Sequence, residues 1–150
     1  MRLFGHPLHP MLVAFPLALL GLAPVCDVVA CLGMGVRLAV VAHYLELSGL
    51  VGGVLAAVTG FADFYALDSP NPRLTKVALT HAGLALVTLS FFGLAFALRP
   101  TPGVIPAALP LALELAGGAL VSATGWFGGH LVFRFGVGVK RDPSQGVLRE

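Results

Sequence analysis

Gly5-His6-Pro7-Leu8-His9-Pro10-Met11-Leu12-Val13-Ala14-Phe15-Pro16 opens an apolar run that continues to Cys31, with Asp27 its one acid. A membrane-spanning helix needs about 20 mostly apolar residues, and Leu8 to Cys31 supplies them. Pro10 suits a first helical turn. Pro16 and Pro24 are expected to kink the interior. Two histidines, each followed by proline, stand at the mouth of this run. They are either ligands or residues of a helix start.

The rest of the chain has the same character. Of 150 residues, 57% are hydrophobic and 11% are charged, and mean hydropathy is +0.93. A soluble domain carries about 25% charged residues, so this composition belongs to a membrane protein. The net charge of +2 is too small to suggest nucleic acid as a partner. Arg2 alone precedes the first run, without a clean small-residue cleavage site after it, so the first helix is expected to stay. Cys26 and Cys31 are five apart on one helix and point to different faces, which favours packing over a disulfide or metal pair.

Three further spans are expected. The second starts between Leu38 and Leu45 and runs to about Leu67. Asp68-Ser69-Pro70-Asn71-Pro72-Arg73 reads as a turn. The third covers about Leu74 to Leu98, and the fourth about Ile105 to Phe127. Gly128-Gly129 is expected to loosen its exit. Residues 1–135 thus form a four-span membrane domain, followed by a polar, mobile tail over 136–150. Four spans put both termini on one side. Arg2, Arg73, Lys76, Arg134, Lys140, Arg141 and Arg149 fall on that side, and only Arg37 and Arg99 on the other. The positive-inside rule then makes the termini cytoplasmic, in an inner membrane.

The two halves echo one another. His9 precedes Gly21-Leu22-Ala23 as His81 precedes Gly93-Leu94-Ala95. Leu45-Glu46-Leu47-Ser48-Gly49 matches Leu113-Glu114-Leu115-Ala116-Gly117, and Thr59-Gly60-Phe61 matches Thr124-Gly125-Trp126. The halves, about 6–67 and 74–130, read as parallel repeats. The fold class is therefore all-α, an integral membrane four-helix bundle of two parallel helix hairpins. His9 and His81 become equivalent positions on diagonal helices, and Glu46 and Glu114 an equivalent pair at the other end. Small residues at four-residue spacing, Gly49, Gly53 and Ala57 among them, suit close helix packing more than a homodimer face.

Ionisable groups inside a membrane segment are costly and usually face a partner or the interior. His6, His9, His81, His130 and Asp63 collect toward the terminal side. Imidazoles with a carboxylate suit zinc, iron or copper. Axial histidines on diagonal helices would also suit a non-covalent b-type haem held by His9 and His81, with His6 and His130 in support. Electron transfer is the function that follows. The plainer reading leaves them as helix-start and interface residues with no cofactor. Glu46 and Glu114 read either as a proton-coupled pair in a small-solute transporter or as headgroup-level carboxylates facing Arg37 and Arg99. No serine motif or phosphate loop is present, so no catalytic residue is expected. A third possibility is a structural subunit of a larger membrane complex, with redox or other subunits as partners.

The opening stretch, Thr59-Gly60-Phe61-Ala62-Asp63, and the exit Gly125-Trp126-Phe127-Gly128-Gly129-His130-Leu131-Val132-Phe133-Arg134-Phe135-Gly136-Val137-Gly138-Val139 are similar to a bacterial family of predicted membrane proteins, domain-of-unknown-function family 2231. The resemblance covers most of the chain and implies a four-helix integral membrane domain. It implies no established activity. Members joined to Rieske or cytochrome modules would imply redox work. Two positions where the family often carries histidine hold Ala14 and Phe135 here, leaving His6, His9, His81 and His130 as the candidates.

Overall fold

A computed structural model describes residues 2–3, 6–66, 71–99 and 101–139. Its framework is four long helices: α1 over Leu8–Cys31, α2 over Leu38–Tyr65, α3 over Pro72–Leu98 and α4 over Ala108–Phe133. All four are long and apolar enough to cross a membrane. The shortest, with 24 residues, is about 36 Å long at 1.5 Å per residue. A short antiparallel pair precedes them, β1 over Arg2–Leu3 and β2 over His6–Pro7, with Leu3 opposite His6. Sequence reading does not anticipate that pair.

The ends of the helices have local causes. Asn71 caps α3, its side chain accepting hydrogen bonds from the Arg73 and Leu74 amides at 3.0 and 3.4 Å. Pro72 supplies a first residue that has no amide hydrogen to leave unpaired. Beyond α1, Gly33 takes φ +74°, and the Met34 amide reaches back to the Val29 carbonyl at 3.2 Å. The second helix takes the early start, at Leu38. The fourth starts at Ala108 rather than Ile105 and continues past Gly128 and Gly129 to Phe133. Those two glycines do not loosen the helix. It closes at Gly136, φ +67°, where the Gly136 amide donates to Val132 and the Val137 amide to Leu131, both at 3.0 Å. Of the expected tail, residues 136–139 belong to this closure, and 140–150 lie outside the described residues.

Around the bundle, α1 packs most extensively on α2 and α3 on α4, with smaller contacts of α1 with α4 and α2 with α3. The interior is made chiefly of small residues: Ala23, Ala30, Ala39, Ala42, Ala56 and Ala95 are buried. Large side chains such as Phe15, Leu22, Val58 and Leu86 face outward. In water that distribution would expose a prohibitive apolar surface. In lipid the outward face carries no such penalty, and small interior residues let the helices approach closely. The two largest buried apolar side chains, Leu20 and Phe92, meet Val121 in the middle. Leu20 sits over Gly49, and Phe92 sits over Gly117.

That last pair of contacts is one of several that recur. His9 lies against Gly60 and His81 against Gly128. In each case the α3 residue lies 72 positions beyond its α1 counterpart, and the α4 residue 68 beyond its α2 counterpart. Thr59-Gly60-Phe61 therefore does not correspond in space to Thr124-Gly125-Trp126, as sequence matching suggests. The spatial counterpart of Gly60 is Gly128, because both pack on an imidazole.

Candidate functional site

Two groups of polar side chains lie within the bundle, one toward each end. The group at the end away from the termini draws on all four helices. Asp27 comes from α1, His43 and Glu46 from α2, Arg99 from the C-cap of α3, and Glu114 from α4. None is more than 5% exposed, and Asp27, Glu46 and Glu114 have no exposure at all. Glu46 and Glu114 are thus enclosed by the bundle, and of the two expected cations only Arg99 meets Glu114. Arg99, the first residue after an apolar run, reads as a loop cation in the sequence. It instead turns inward between the helices, while Arg37 stays exposed.

Arg99 is the hub of this group. One terminal nitrogen, Nη1, donates to Asp27 Oδ2 and, at 3.2 Å, to Glu114 Oε1. The other, Nη2, donates to the Ala39 carbonyl at 3.2 Å. A planar guanidinium serves three directions at once, which an ammonium on a flexible stem would do poorly. The His43 ring lies 4.7 Å from that of Phe96, centre to centre. Asp27 Oδ1, Glu114 Oε2, both Glu46 carboxyl oxygens, His43 Nδ1 and Arg99 Nε are buried with no hydrogen-bond partner in the protein. Buried polar atoms are normally satisfied, and each exception calls for a reason.

Nearer the termini, His9 and His81 meet across the bundle, with ring centres 6.1 Å apart and planes at 80°. His9 Nδ1 lies 2.7 Å from the Ala56 carbonyl oxygen, and His81 Nδ1 lies 3.0 Å from that of Thr124. A carbonyl only accepts, so each Nδ1 carries the hydrogen. The acceptors are again counterparts on α2 and α4. Thr124 also bonds through its hydroxyl to Thr88 at 3.3 Å.

The other expected members of a histidine cluster do not join this pair. His6 is exposed on β2, and Asp63 is partly buried on α2. His130 stands by Arg134, at 3.4 Å, and by the Trp126 ring. Among the described residues, no three His, Cys, Asp or Glu side chains converge in a way that could hold a metal ion. The five-residue site of His6, His9, His81, His130 and Asp63 is therefore not assembled. Both cysteines are free, Cys26 partly buried and Cys31 exposed.

A family model described as "Predicted membrane protein (DUF2231)" matches residues 5–141. The chain belongs to that family. The match takes in the four helices, the carboxylate–arginine group and the histidine pair. No curated protein and no solved structure matches the chain. Membership thus agrees with a protein embedded in the bilayer and leaves its activity to be argued from these two groups.

Proposed function

We propose that this protein is a membrane-embedded proton-conducting module, in which protons bind at the group formed by Asp27, Glu46, Glu114, His43 and Arg99. One observation carries the reading: five ionisable side chains are buried inside the bundle with carboxyl and imidazole atoms left unpaired. Three carboxyl groups lie in the group with one guanidinium, which bonds two of them. Fully ionised, they would leave excess negative charge in a low-dielectric interior, where a buried charge lacking a partner costs several kcal/mol. Two protons held among the three carboxyls remove that excess. A role confined to stability would be met more cheaply by apolar side chains of similar volume. Ionisable groups kept inside a membrane are by default candidates for proton or ion handling. The polar contacts of His9, His81, Thr88 and Thr124, on the other side of the Leu20–Phe92 layer, give a proton places to bind along the bundle.

The test is proton flux into liposomes holding the purified protein and a trapped pH dye, driven by an imposed potassium diffusion potential. The wild type is expected to acidify the lumen well above empty liposomes, and Glu46→Gln and Glu114→Gln each to lower the rate at least tenfold. A wild-type rate equal to that of empty liposomes overturns the reading.

Two finer points belong with it. In this reading the protein lies in the cytoplasmic membrane with both termini on the cytoplasmic side. Exposed Arg73, Lys76 and Arg134 on that face support this, and withdrawal of Arg99 into the interior leaves Arg37 as the only described exposed cation opposite. The hairpins are read as the products of one duplication, supported by the recurrence of the His–Gly and His–carbonyl contacts at fixed shifts.

A further inference from the structure

We propose that His9 and His81 form a two-ligand site for a single soft monovalent cation, Cu(I), separate from the carboxylate group. The tautomers come first. Both Nδ1 atoms donate to backbone carbonyls, at 2.7 and 3.0 Å, so in the neutral rings both lone pairs sit on Nε2. A histidine that binds metal through one nitrogen typically gives its other N–H to a carbonyl or carboxylate, which fixes ring and tautomer. Here that arrangement occurs twice, on α1 and α3, with the two rings in edge contact at 80°. Among the described residues no hydrogen bond uses either Nε2.

The separation leaves room for an ion between the rings. Two imidazoles joined directly through Nε2 by a hydrogen bond of about 2.9 Å would have ring centres about 5 Å apart. Two imidazoles sharing one ion, with metal–nitrogen bonds of about 2.0 Å, have centres about 6 Å apart. The observed separation is 6.1 Å. The rings are also held in place. A Cβ at Gly60 would lie 2.8 Å from His9 Cε1, and one at Gly128 would lie 3.2 Å from His81 Cε1, so each ring is seated against bare helix backbone.

The ligand count selects the ion. No third His, Cys, Asp or Glu among the described residues joins the pair in a metal-binding group. Zinc asks for three protein ligands in open sites and four in closed ones. Copper in its monovalent state accepts two ligands in line, and imidazole is among its ligands.

The test uses purified full-length protein in detergent, anaerobic and reduced, titrated with Cu(I) against a chromophoric chelator. One Cu(I) per chain is expected. His9→Asn and His81→Asn keep an amide donor where Nδ1–H stands and remove Nε2, so each is expected to fold and to lose stoichiometric Cu(I) binding. His6→Ala and His130→Ala are expected to bind as the wild type does. X-ray absorption on the wild-type complex gives a readout that needs no variant, and two nitrogen neighbours at copper with no sulfur are expected. The proposal is overturned by an absence of stoichiometric binding, by sulfur at the metal, by binding that survives both asparagine variants, or by preferred uptake of Zn(II) at the same residues.

Discussion

A methyl group added at Gly60 would lie 2.8 Å from the His9 ring, and at Gly128 3.2 Å from that of His81. At Gly49 and Gly117 it would meet Leu20 at 2.6 Å and Phe92 at 2.7 Å. Gly21, Gly83 and Gly93, by contrast, have open space where a Cβ would be. Alanine at Gly49, Gly60 or Gly117 is therefore expected to lower stability by about 1–3 kcal/mol through overpacking. Alanine at Gly83 or Gly93 is expected to be neutral or to gain up to about 1 kcal/mol from helix propensity. Reversible unfolding in mixed micelles measures both. The pairing of His9 with His81 is legible in the sequence, because each stands twelve residues before a Gly-Leu-Ala. The role of the glycines is not, since a glycine facing an imidazole and one facing lipid look alike in a Gly-rich chain. Arg99 is hidden for a related reason. A cation after an apolar run, followed by proline, reads as a loop end, and only the backbone course turns it inward.

Among the elements, the helix ends are the clearest targets. Asn71→Ala removes the acceptor for two amides of α3 and is expected to cost about 0.5–2 kcal/mol. Gly136→Ala forces an L side chain into φ +67° at the end of α4 and is expected to cost about 1 kcal/mol. Thermal melts of the variants in detergent give both values, with an unchanged midpoint counting against the cap. The spans themselves are legible because their length and apolarity are set by the bilayer, not by neighbours. Their ends are less so. Gly128 and Gly129 signal an exit by composition, yet the helix continues, since packing against the His81 ring uses the missing side chain at Gly128. The short β1–β2 pair gives no periodic signal in two-residue strands.

At the scale of the whole molecule, Arg99 ties α3 to the other three helices. Arg99→Met leaves Asp27 and Glu114 facing one another without a cation and is expected to lower stability by about 3–5 kcal/mol. Arg37→Ala, on the exposed loop, is expected to change it by less than about 0.5 kcal/mol. The two unfolding curves in the same detergent check the contrast. Orientation is read from cysteine scanning in a Cys26→Ser, Cys31→Ser background. Thr101→Cys is expected to react with an impermeant maleimide on intact cells, and Arg73→Cys only after permeabilisation. The reverse pattern would invert the topology.

The convergence on Arg99 also sets an order on biosynthesis. Asp27 enters the membrane with the first helix, Arg99 follows at the end of the third, and Glu114 arrives only with the fourth. Until that last helix is inserted, the guanidinium has one of its two carboxyl partners, and the Glu46 carboxyl is enclosed on fewer sides. The carboxylate–arginine group is therefore completed only with the last helix, although the α1–α2 hairpin can pack before it.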